Sequence, residues 1–238
     1  MCFSAGASFT ASVFLAAIGT ETLRKVHKPS QIVFAGIPLF FAFQQLTEGV
    51  LWRVIGNSKY DWLQTIATFD FLIMAQVIWP LAVPLSVLLM EKIKFRKKIL
   101  IGLLGAGGIV ALYYLYSLVF CRPYAEISRF HIAYGSTFQD PYSKVAIVLY
   151  LAATLVPLFV SSVKRTWILG TIVGLSFVVS VVFYTKCLTS VWCFFAAVIS
   201  FVIYYIIRDS HKKHHIDLLA ALKNIPSEIL KLQEDITS

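Results

Sequence analysis

The sequence predicts an all-α polytopic membrane bundle of seven transmembrane helices with a short cytoplasmic amphipathic C-terminal helix. Three observations carry the prediction. Of the 238 residues, 58% are hydrophobic and 14% charged, with a mean hydropathy of +0.78, the balance of a chain whose solvent is lipid. Seven apolar runs come close to the about 20 residues that cross roughly 30 Å of hydrocarbon. The Lys and Arg residues lie in the gaps between these runs, so the net charge of +9 reads as a topology signal. No basic stripe interleaved with aromatics is present, and a nucleic-acid partner is not expected. A chain of this size has no room for a large soluble catalytic domain beside seven spans. Its chemistry is expected among the helices or in the short connections.

The runs lie near 6–23, 31–53, 62–90, 99–120, 145–163, 166–186 and 190–207. Ser, Thr and Gly dilute the first. It does not read as a cleaved signal, because Arg24, Lys25 and Lys28 follow the apolar stretch instead of preceding it. The third is longer than a span requires and contains Pro80 and Pro84, which predicts a kink or tilt with freed carbonyls met by neighbouring helices. In the fourth, GLLGAGG supplies small residues for close helix approach rather than a phosphate loop. If the first, third and fifth connections and the tail share one side, that side holds fifteen Lys/Arg against six on the other. The N-terminus is then outside and the C-terminus in the cytoplasm. The fourth connection, CRPYAEISRFHIAYGSTFQDPYS, is the longest and is expected to form an external lid. Residues 1–209 form the transmembrane domain and 210–238 a basic, amphipathic tail, where Pro226 and Ser227 predict the start of a separate helix lying on the inner leaflet.

Ionisable groups inside a span cost about 2.5 kcal/mol or more, so each needs a reason. In FQQLTEGVLW, Gln45, Glu48 and Trp52 recur at steps of three and four and share a helix face, and Gln44 lies one turn from Glu48. Glu48 is roughly 7 Å from the outer end of its helix, and Asp70 roughly 12 Å inside the next. Two acids at similar depth on antiparallel neighbours either share a proton or hold a cation; otherwise each is polar glue bonded across an interface. Glu21, beside Arg24 and Lys25, reads as an ordinary surface ion pair.

The orientation places Cys2, Cys121, Cys187 and Cys193 on the oxidising side. A disulfide is the simplest use, with Cys121–Cys187 the leading pairing. The sharper alternative is a zinc or copper ion held by Cys2, His131 and Glu48, although no CxxC or HxxxH spacing supports it. Cys2 has three readings: disulfide partner or ligand, passive interfacial residue, or an N-terminal nucleophile exposed by removal of Met1.

MCFSAGASF, FQQLTEGVLW and SVWCFFAA together resemble an uncharacterised family of bacterial seven-pass membrane proteins whose chains begin MCFSA. The resemblance covers the N-terminus, the second span and the start of the last. It implies a seven-span bundle in the bacterial inner (plasma) membrane and directs attention to Cys2, Ser4, Glu48, Trp52, Trp192 and Cys193; it implies no reaction. The expected site is an outward-facing pocket of Cys2, Ser4, Gln45, Glu48, Asp70 and His131, with Gln44 and Trp52 beside it, that binds and transports or senses a small cation or polar ligand. The alternative is an outer-leaflet metal- or cysteine-dependent enzyme acting on a lipid or other amphiphile.

Overall fold

The structure is a computed structural model that describes residues 4–128, 131–136, 143–183 and 195–237. Its helices are α1 (Ala5–Arg24), α2 (Ile32–Val54), α3 (Asp61–Leu72), α4 (Trp79–Met90), α5 (Lys94–Phe120), α6 (Ser143–Val160), α7 (Thr166–Phe183) and α8 (Ala196–Thr237). A π-helical turn, Ile73–Ile78, joins α3 to α4, so these helices make seven rods among the described residues, one for each predicted run. Three are long and apolar enough to cross a membrane: Pro29–Val54, Ser58–Met90 and Lys94–Phe120. The apolar stretches Lys144–Val160 and Thr166–Val182 are shorter.

Two features depart from the all-α expectation and from the expected tail. The fourth connection carries an antiparallel hairpin, β1 (Pro123–Ser128) and β2 (His131–Ser136), in the register Pro123↔Ser136 to Ser128↔His131. Its strands are short and rich in turn formers, which hides them from a reading by apolar runs. Ala125 and Ile132 are buried against Leu51, Phe71 and Leu118, and Tyr134 stacks on Phe71 with ring centroids 4.5 Å apart, so the hairpin closes one end of the bundle. In the tail, α8 runs through Pro226 to Thr237 without the separate start predicted there.

Helix α2 is central, packing against α1, α3, α4 and α8. Ser12 donates to the Ala42 carbonyl at 2.7 Å, and a Cβ on Gly49 would stand 2.7 Å from the Phe9 ring, so α1 and α2 are closely apposed. A second core, built on Phe34, Val87, Leu100, Leu158 and Ile203, joins α2, α4, α5, α6 and α8.

The prolines shape the third rod. The Trp79 N–H bonds to the Met74 carbonyl five residues back, and Pro80 has no N–H. The Ala75 carbonyl therefore has no donor four or five residues ahead of it. The Tyr150 hydroxyl on α6 donates to it at 2.7 Å. Pro84 likewise removes the donor four residues beyond the Pro80 carbonyl, and α5 passes that oxygen at Gly107. A Cβ there would lie 2.0 Å from it. Gly102, Gly105 and Gly108 have no such neighbour, so of the GLLGAGG glycines Gly107 makes the close approach.

The connections predicted to share a side meet at one end of the bundle. Gln31 donates to Ser210 at 3.0 Å, Ser162 donates to Glu91, and Arg165 approaches Asp209 at 3.4 Å. Arg24, Lys25, Lys28, the KIKFRKK cluster, Lys164 and Arg165 all belong to that end.

Candidate ligand-binding site

The polar row on α2 forms as its spacing predicts. Gln44, Gln45 and Glu48 are all buried, Glu48 with 0% exposure. Gln45 donates its amide to Glu48 Oε2 at 3.1 Å, while its own Oε1 is buried without a hydrogen-bond partner. The Gln44 Oε1 accepts from Trp79 Nε1 at 3.0 Å, and its Nε2 is buried without a partner. Asp70 is half-buried on α3 and accepts from the Thr47 hydroxyl at 2.9 Å; Thr47 also donates to the Phe43 carbonyl. The structure thus gives each acid a polar partner from α2: Gln45 for Glu48 and Thr47 for Asp70.

The other candidates are dispersed. Ser4 is exposed and caps α1, accepting from the Ala7 N–H at 3.2 Å. Trp52 packs with the cluster under the hairpin, its Nε1 buried without a hydrogen-bond partner. His131 is buried on β2 opposite Ser128, and burial pushes its pKa down, favouring the neutral ring. Cys121 ends α5, its N–H bonded to the Ser117 carbonyl. Cys2, Cys187, Trp192 and Cys193 lie outside the described residues, and with them the Cys121–Cys187 pairing and the Cys2 ligand. Among the described residues there is no disulfide and no group of three or more His, Cys, Asp or Glu that could hold a metal ion. Glu21 forms the expected exposed ion pair with Arg24 at 2.6 Å.

Gln44 also faces a feature that the sequence did not announce. A cavity of about 270 Å³ lies among α2, the π turn, α4, α5, α6, α7 and α8. Its walls are mostly apolar, from residues such as Ile37, Phe41, Leu151, Phe177 and Ile199. Gln44, Gln76, Trp79, Tyr114, Tyr150 and Thr154 supply the polar groups. Three of these have assigned structural bonds: Trp79 to Gln44, Tyr150 to the Ala75 carbonyl, and Thr154 to the Tyr150 carbonyl at 2.9 Å. The Gln44 Nε2 does not, which leaves a buried donor in the wall. The π turn builds part of this wall, with Ala75 and Gln76, and it exists because of Pro80. Signals for the cavity were present as isolated polar residues in apolar runs: Gln76 in IMAQVIWP, Tyr150 and Thr154 in VLYLAATLVP.

Glu91 is a second residue the sequence reading passed over. It is 2% exposed at the α4–α5 junction. It accepts from the N–H groups of Lys92 and Ile93, both at 2.9 Å, and from the Ser162 N–H and hydroxyl at 2.7 and 2.5 Å. Burial pushes its pKa up, but the bonds from Ser162, Ile93 and Lys92 outweigh this and hold it below the ordinary glutamate value. It ties the α6–α7 connection to the start of α5.

Together these features define a class: a helical bundle with an interior, mostly apolar chamber and a few inward polar groups. The chain belongs to a family of unknown function, DUF6629, whose model matches residues 1–217, from the N-terminus through the first six rods and into α8, the seventh. No curated protein and no solved structure matches it.

Proposed function

We propose that this chain is a seven-pass protein of the bacterial plasma membrane that holds a small amphiphile inside its bundle, with the basic end in the cytoplasm and the hairpin outside. The exposed faces support the membrane reading. Ile109, Leu112, Tyr116, Val119 and Phe120 on α5 and Val178 and Val182 on α7 are large apolar side chains left exposed at helical spacing, as lipid-facing residues are. The Lys/Arg asymmetry supports this orientation.

The observation that carries the ligand reading is the chamber itself. Its apolar walls suit a hydrocarbon or ring system, and the Gln44 amide offers a donor to one polar group on that molecule. Protein thermal stability titrated with fractions of a host lipid extract tests it. A binding fraction raises the Tm of the wild type by mass action and not that of Thr154→Trp, which fills the chamber. No stabilising fraction, or equal stabilisation of the variant, contradicts the reading.

The burial of Glu48 favours a second role at the same helix, coupling to a proton or small cation. In proteoliposomes, Glu48→Gln then abolishes cation or proton flux while the protein remains folded; unchanged flux removes this role.

A further inference from the structure

At the basic end, Arg96 in the first turn of α5, Ser161, Ser162, Lys164 and Arg165 in the α6–α7 connection, and Trp167 in the first turn of α7 surround an open recess of about 500 Å³. We propose that this recess is a binding site for the phosphate of an anionic phospholipid headgroup. The proposal rests on the membrane reading above.

Four observations converge on it. Three cationic side chains, Arg96, Lys164 and Arg165, line the recess, and no acidic side chain does. Of the carboxylates that meet this lining, Glu91 is turned to Ser162, Ile93 and Lys92, whose donors it occupies, and Asp209 pairs with Arg165 alone among the three cations. Arg165 is held with φ of +70°, in the left-handed region that a side chain other than glycine enters at a cost. Its guanidinium lies over the Tyr205 ring, 4.7 Å from the centroid, and its Nη1 is buried in an ion pair with Asp209 Oδ2 at 3.4 Å, so the group is anchored against α8 at the recess. A guanidinium carries five N–H donors, and a phosphate oxygen is a partner that those not turned to Asp209 suit well.

The surroundings choose a lipid over a soluble phosphate. Trp167 is 59% exposed beside the cations, and Phe95, next to Arg96, is 72% exposed. An apolar surface directly beside a phosphate-binding recess fits a headgroup with its acyl chains running along the bundle, and aromatic residues are the usual side chains of that depth. Basic recesses between helices on the cytoplasmic side take anionic headgroups by this combination.

The test uses the full chain, delipidated in a neutral detergent and examined by native mass spectrometry with phosphatidylglycerol, phosphatidylcholine or inorganic phosphate added. The expected result is about tenfold greater retention of phosphatidylglycerol than of phosphatidylcholine, falling to parity in the Arg96→Gln/Lys164→Gln double variant. Arg165 is left intact because it also contacts α8. Equal retention of the two lipids by the wild type, or an unchanged preference in the variant, overturns the proposal. Binding of inorganic phosphate with no preference between the lipids assigns the recess to a soluble anion and overturns the lipid assignment. Alkaline extraction of host membranes tests the underlying reading separately. A protein released by carbonate ends both, whereas one that stays with the membrane but shows no lipid preference ends this proposal alone.

Discussion

Glu91 and Glu48 are both fully buried acids, but their surroundings give them different work. Glu91 is saturated by four donors from two connections, so it acts as a clamp. Its removal leaves backbone N–H groups of Ile93 and Ser162 without acceptors, and Glu91→Ala is expected to cost about 3 kcal/mol, read from thermal unfolding in detergent. Glu91→Gln, which keeps one acceptor oxygen, costs less. Because its folded pKa lies below the unfolded value, the stabilisation is complete above about pH 4.3 and is lost as the pH falls through the folded value. The wild type should therefore show an acid-dependent drop in Tm that Glu91→Gln lacks. Spacing made the row Gln44, Gln45 and Glu48 legible in the sequence, since one-turn steps fix a common face. It could not show that Trp79, 35 residues further on, would take the Gln44 carbonyl. Glu91 was hidden for a different reason: an acid at the head of KIKFRKK looks like one more surface charge, and only the fold brings Ser162 to it.

At the scale of elements, carbonyl accounting explains the third rod. Pro80 opens the π turn, Tyr150 takes the freed Ala75 carbonyl, and Gly107 lets α5 pass the Pro80 oxygen. Tyr150→Phe is expected to lower stability by about 1 kcal/mol in the same unfolding assay. Gly107→Ala should cost about 3 kcal/mol or more, because the obstructing atom is backbone and cannot turn aside. The helix runs were legible because long apolar stretches have few alternatives, and the two prolines announced an irregular third rod. The hairpin was not, since its strands are held by contacts with Leu51, Phe71 and Leu118 that no local pattern encodes. At the basic end, His27 stacks on His214 with centroids 4.7 Å apart and meets His211 edge-on at 6.2 Å. Burial, with the charges of His214, Lys28 and His211, pushes its pKa down. The unfolded chain thus binds the proton more readily, and acidification weakens this contact. Amide protection factors across 208–215, corrected for the intrinsic exchange rate, should fall between pH 7 and 5, and His27→Gln should remove that dependence.

The whole molecule places an open basic end, a closed hairpin end and a chamber between them. The two ends were predictable from charge and loop length; the chamber was not, because its walls come from α2 through α8 and no pair of neighbours in sequence defines it. The orientation is testable in right-side-out vesicles, using a variant with all four cysteines replaced by serine. A membrane-impermeant maleimide should label Lys59→Cys and spare Lys94→Cys, and the reverse pattern would invert the topology. The ligand claim is tested most directly by native mass spectrometry of the protein released from host membranes, with Thr154→Trp alongside. The expected result is a bound species of a few hundred daltons on the wild type that is missing from the folded variant. A wild type without any such species, or a variant that carries it equally, would contradict the assignment of the chamber as the binding site.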